Sequence, residues 1–221
     1  MHKYFEIWKD ALTKPKETFA KQAKKGGIRE ALMHSALGGL IQGLLLAATL
    51  ALLPGYSSLG AIAGSAFIAV MAVVMIIVSP IASMISVLII SGVFYLFAKL
   101  FGGNGTYDKQ TYLYAIFYAP LAVISSVLAL IPAIMMFVPG LTMVSTVLGM
   151  TIRLLVFVYT VYLLTLALKE VHKYSTGKAV LTWLVPVLIV GIFLAVFLAA
   201  VFSLVASNPA LFANATALKT Y

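Results

Sequence analysis

The chain has 221 residues, of which 63% are hydrophobic and 10% charged. A soluble domain averages about 25% charged residues, so this composition excludes a soluble globular protein and leaves an integral membrane protein with one membrane domain. Cysteine is absent, which excludes disulfides, thiolate metal sites and cysteine nucleophiles.

The net charge of +9 is no nucleic-acid signature. Eight of the fifteen Lys and Arg residues lie in 1–30: Lys3, Lys9, Lys14, Lys16, Lys21, Lys24, Lys25 and Arg29. Such a cluster beside a membrane span reads as a cytoplasmic segment near anionic lipid headgroups. This stretch has no early apolar region, so it is not expected to be a cleavable signal peptide. Within it, Tyr4, Phe5, Ile7, Trp8, Ala11 and Leu12 share one helical face, opposite Lys3, Glu6, Lys9 and Asp10. The expectation is an amphipathic helix lying in the interface, as a lipid-touching or partner-binding arm. Pro15 ends that helix and opens a second short one, through Lys25. Gly26-Gly27 then breaks the chain.

Residues 32–53 predict the first crossing, since about 20 residues span a bilayer, and an uncharged turn, Pro54-Gly55-Tyr56-Ser57-Ser58, follows. Residues 59–98 carry no charge and would run roughly 60 Å as one helix, about twice the hydrocarbon thickness. Pro80, in their middle, is expected to kink or end a helix. The polar island Gly102-Gly103-Asn104-Gly105-Thr106-Tyr107-Asp108-Lys109-Gln110 comes next.

Charge decides how often 59–98 crosses. With a cytoplasmic N-terminus and one net crossing there, the loops carrying Lys99 and Lys109, and Lys169, Lys173 and Lys178, all face the cytoplasm, as the positive-inside bias requires. Two crossings would put all five outside. The remaining spans are then 111 to about 131, one ending at Lys169, and 179 to about 205. Residues 59–79 become a re-entrant, interfacial or tilted helix on the outer side. Residues 141–152, divided from the preceding span by Pro139-Gly140, are too short to cross alone and form a second such element. The fold class is therefore all-α and polytopic: five transmembrane helices with extra outer-side re-entrant or interfacial helices. Residues 1–30 form the arm, 31–206 the membrane domain and 207–221 an external tail.

Few residues here can carry chemistry. Arg153 is the one charge inside an apolar run. Either its span starts nearby and the side chain snorkels to the outer interface, or it is an intramembrane polar site contacting a lipid headgroup or substrate. The glycine run lacks the Gly-Lys-Ser/Thr ending of a P-loop and reads as a tight turn. His2, His34 and His172 are scattered, with no metal-binding spacing. His172 reads as a cation at a helix C-terminus. None of the six acids lies in a span, which argues against a proton-coupled carrier or an intramembrane aspartyl protease. No cofactor is implied. Ser35, Gly38, Gly39, Gln42 and Gly43, and Ser79, Ser83, Ser86, Ser91 and Gly92, predict close helix packing and bonds across helices. Ser65, among small residues, reads as packing too. Tyr107, Tyr112, Tyr114 and Tyr118 form a cytoplasmic aromatic belt. Asn214-Ala215-Thr216 is a sequon in the tail.

The island Gly102-Gly103-Asn104-Gly105-Thr106-Tyr107, then Tyr118-Ala119-Pro120, His172, Ser175-Thr176-Gly177-Lys178-Ala179 and Pro186 together resemble the Yip domain, the family of Ypt/Rab-interacting multi-span membrane proteins. Trp8, Leu12, Pro15 and Phe19 look like the arm that precedes the domain in prokaryotic members. The resemblance covers nearly the whole chain. It implies five spans, a cytosolic N-terminus and an external C-terminus, the topology reached above from charge. It also implies a non-enzymatic membrane organiser or adaptor, because eukaryotic relatives shape membranes and recruit prenylated small GTPases. This chain lacks their long acidic or Pro-rich N-terminal domain, and its short basic arm looks like that of a prokaryotic cell-membrane protein. The candidate contact residues are Gly102, Gly103, Gly105, Tyr107, Asp108, Pro120, His172, Ser175, Gly177 and Lys178. The partners implied are anionic lipid, a cytoplasmic protein of the small-GTPase kind, and a homo- or hetero-oligomer, with no nucleic acid. The alternative is a transporter or scramblase-like lipid handler, motivated by Arg153 and the broken spans.

Overall fold

The computed structural model describes residues 2–52 and 65–207. The turn 54–58, residues 59–64 of the difficult stretch and the tail with its sequon lie outside them.

Seven helices occupy the described residues: α1 (His2–Thr13), α2 (Pro15–Gln22), α3 (Ile28–Leu52), α4 (Ser65–Leu100), α5 (Tyr107–Met135), α6 (Thr142–His172) and α7 (Thr176–Ser207). The last five are long and apolar enough to cross a membrane. They alternate in direction. The arm and the α4–α5 and α6–α7 connectors therefore share one end, here the arm end, and the α5–α6 connector lies at the far end.

The helices start and stop for local reasons. Pro15 opens α2 at its first turn, after Lys14 leaves helical geometry. The Glu30 carboxylate accepts from the Gly27 N–H at 3.2 Å and closes the start of α3. α4 ends in a Schellman cap: Gly102 sits at φ +81°, its N–H donates to the Lys99 carbonyl, and the Gly103 N–H donates to the Ala98 carbonyl at 2.8 Å.

α5 is the hub, touching α3, α4 and α6, while α7 leans on α4 and α6. Leu113, Ala115, Ile116 and Phe117 of α5 are completely buried. α3 fits against its neighbours because it has glycine where they approach. A Cβ on Gly39 would meet Pro80 Cα and the Ser79 carbonyl at 2.7 Å, one on Gly43 the Met75 carbonyl at 2.7 Å, and one on Gly38 Ala119 Cβ at 2.9 Å. Backbones this close gain dispersion contacts without help from water.

Three sequence expectations change. Pro80 does not divide 59–98, because α4 runs unbroken through it from Ser65 to Leu100. A proline inside an apolar helix is tolerated where a neighbouring helix covers the freed backbone, and α3 does so at Gly39. The second outer-side element likewise proves to be the first turns of α6, which starts at Thr142. Among the described residues these outer-side stretches are continuous with the spans: α4's 36 residues measure about 54 Å. α6 consequently extends beyond Arg153 toward the far end, to Thr142.

The arm's apolar face packs on the bundle. Trp8, Ala11 and Phe19 are buried, because α1 packs on α5 and α2 on α6. The Trp8 indole N–H donates to His34 Nδ1 at 2.8 Å, and the Tyr112 hydroxyl to Gln22 Oε1 at 3.0 Å. The Tyr159 hydroxyl donates to the Leu12 carbonyl, and Phe19 packs on Phe117 with ring centroids 5.9 Å apart. Phe5 alone of the predicted apolar face stays exposed. The eight cations of the arm all point outward.

Candidate contact face at the arm end

The α4–α5 connector is folded against the end of α6. Gly103 and Gly105 are both buried and leave no room for a side chain. A Cβ on Gly103 would stand 2.5 Å from His172 Nδ1, and one on Gly105 2.3 Å from Val171 Cγ1. The Asn104 N–H reaches the His172 carbonyl at 3.4 Å, and the Gly105 N–H donates to His172 Nδ1 at 3.1 Å.

That bond fixes the imidazole. Nδ1 accepts, so the ring proton is on Nε2, which lies 2.7 Å from Gln110 Oε1 and donates to it. The Gln110 amide nitrogen then donates to the Ser91 carbonyl at 2.7 Å. The Ser91 hydroxyl pairs with Thr111 Oγ1 at 3.0 Å, and Thr111 donates onward to the Tyr107 carbonyl. The Tyr107 hydroxyl donates back to the Leu88 carbonyl of α4 at 2.8 Å. Every donor in this buried chain has an acceptor, and such satisfied networks specify one packing arrangement. His172 is thus a neutral, buried tie between three helices. It is not the cationic helix cap expected from sequence, because its ring turns inward onto Gln110.

The α6–α7 connector joins the same assembly. Lys173 caps α6 in the left-handed region at φ 54°, and its ammonium pairs with Glu170. Tyr174 stacks on His172 at 5.4 Å and bonds the Thr182 hydroxyl at 2.8 Å. Burial pushes the Tyr174 phenol above its ordinary pKa, against a smaller opposite effect of the Thr182 hydroxyl. Ser175 Oγ accepts from the Lys178 N–H at 3.4 Å, which caps the start of α7. Lys99 reaches the Gly103 carbonyl at 3.2 Å and lies over the Tyr95 ring.

Nine of the ten candidate residues therefore meet at one end of the bundle. Gly102, Asp108, Ser175, Gly177 and Lys178 are exposed there, while Gly103, Gly105 and His172 are buried beneath them and Tyr107 is half-buried. Pro120 is elsewhere: it is buried in α5, about 20 Å beyond Tyr107 along that helix, next to Ala119, which meets Gly38 of α3. Gln110 and Tyr174 complete the network and escaped the sequence reading, whereas Ser91, read as a packing residue, also bonds across to α5. The signal that could have found Gln110 was its lone amide at the head of an apolar span. Among the described residues every Lys, Arg, Asp and Glu except Arg153 lies at this end.

Compared with known sequence families, the chain matches the Yip1 domain over residues 9–198. Among curated proteins and solved structures nothing matches.

Proposed function

This chain belongs to the Yip1 domain family, and from that premise we propose that it is a non-enzymatic membrane organiser whose arm end is a cytoplasmic contact face for a protein partner. The observation that carries this reading is the tie between the two connectors at His172. It turns two separate loops into one rigid surface, so the exposed Asn104, Thr106, Asp108, Ser175, Thr176 and Lys178 present a fixed pattern. A preordered face binds without first losing conformational freedom.

The orientation follows from charge. Lys99, Lys109, Lys169, Lys173 and Lys178 join the arm's eight cations at this end, and cations collect on the cytoplasmic side. The far-end turn 136–141 has no charge at all. The exposed arm cations lie beside anionic headgroups of a prokaryotic cell membrane, and the cationic connectors favour an acidic patch on the partner. The long apolar faces of α4 and α7 meet lipid or further subunits.

A photocrosslinking residue placed at Asn104 or Thr176 in living cells tests this. Discrete protein adducts from both positions are expected. Adducts with lipid alone would overturn the adaptor role.

A further inference from the structure

We propose that the protein holds one phospholipid molecule in a polar cleft between α5 and α6, with the lipid phosphate on Arg153. This site is at the far end of the bundle and is independent of the contact face.

Three neighbouring cavities line up along the bundle and share lining residues. The first, of about 270 Å³, is lined by Ser125, Pro132, Ser145, Thr146, Gly149 and Arg153. The second, of about 230 Å³, shares Ser125 with it and adds Ser126, Thr160, Gln42 and Tyr118. The third, also about 230 Å³, shares Gln42 and Tyr118 and continues to Ser79, Ser83 and Ser86. Hydroxyl and amide groups recur along the whole path, in a region where the lipid-facing surface is Leu, Val, Ile and Phe.

Arg153 gives this line of cavities its charge preference. It is exposed, and among the described residues no carboxylate pairs with it and no hydrogen bond holds it. Sixteen residues separate it from Lys169, about 24 Å along α6. With Lys169 at one border of a hydrocarbon layer about 30 Å thick, its guanidinium reaches the headgroup level of the far leaflet. An unpaired cation at that depth selects an anion, and a guanidinium binds phosphate through paired N–H donors. The hydroxyls of Ser125 and Thr146 line the same cleft. Beside Arg153, the exposed Leu154, Phe157 and Val158 offer an apolar ridge for the acyl chains.

Native mass spectrometry of the purified full chain tests this with three probes: dioleoylphosphatidylcholine, dioleoylglycerol and inorganic phosphate. A zwitterionic lipid keeps the arm's cations out of the readout. The wild type is expected to retain one phosphatidylcholine and neither of the other probes. Arg153→Ala removes the cation and Ser125→Leu fills the cleft while leaving Arg153 in place; each should reduce the adduct at least fivefold, and Arg153→Lys should keep it. Both altered positions lie in the cleft and not in the buried core. An unchanged adduct in Arg153→Ala, or in Ser125→Leu, would overturn the site. Equal retention of dioleoylglycerol would make the binding acyl-driven, and equal retention of inorganic phosphate would make it a simple anion site; either result also overturns the proposal.

Discussion

The Gly105 N–H donates to His172 Nδ1 across 3.1 Å, although the two residues are 67 positions apart. This bond joins the α4–α5 and α6–α7 connectors, and it exists only because Gly105 has no side chain to collide with Val171. Gly105→Ala and Gly103→Ala should each destabilise the protein by about 2 kcal/mol through overpacking. Gly177→Ala, where nothing lies within 4 Å of the new Cβ, should change stability little. Thermal unfolding in one detergent compares the three.

Removing the imidazole strands two buried partners, the Gly105 N–H and Gln110 Oε1. His172→Ala should cost about 2–3 kcal/mol. Gln110→Ala should cost less, and the double variant less than the sum of the two. Histidine ¹⁵N NMR gives an independent check: His172 should show the neutral tautomer with its proton on Nε2.

The arm's attachment depends on Phe19, which is buried against Phe117. Phe19→Ala should weaken docking by about 3 kcal/mol and speed tryptic cleavage after Lys21 and Lys24. In a Trp183→Phe background Trp8 is the sole remaining tryptophan. Its emission should shift to the red when Phe19 is replaced, as the indole leaves His34 for water.

The α3–α4 seam has no room for a branched side chain. Gly39→Val and Gly43→Val should lower thermal stability sharply or abolish folding. Gly191→Val, with nothing within 4 Å, should be tolerated. Equal loss in all three would refute close packing at Pro80.

Charge made much of this protein legible in sequence. Lys99, Lys109, Lys169, Lys173 and Lys178 alone fixed five spans, because charged side chains cannot rest in hydrocarbon. Gly102 was recognisable as a turn glycine, and it caps α4. The requirement at Gly103 and Gly105 was not recognisable, because Val171 and His172, which crowd them, are remote in sequence. Pro80 misled because the rule that proline breaks helices describes a helix in water, and α3 shields this one. The arm's apolar face was visible, but an amphipathic pattern does not say whether lipid or protein covers it. Here the groove beside Tyr112, Phe117 and Tyr159 does.

The central claim is that the locked connectors face the cytoplasm. The chain has no cysteine, so single cysteines at Asn104, Thr176 and Phe137, all exposed, give a direct reading in intact cells with a membrane-impermeant thiol reagent. The account predicts that Phe137→Cys labels from outside, and that Asn104→Cys and Thr176→Cys label only after the membrane is opened. Outside labelling of Asn104→Cys or Thr176→Cys in intact cells would contradict it.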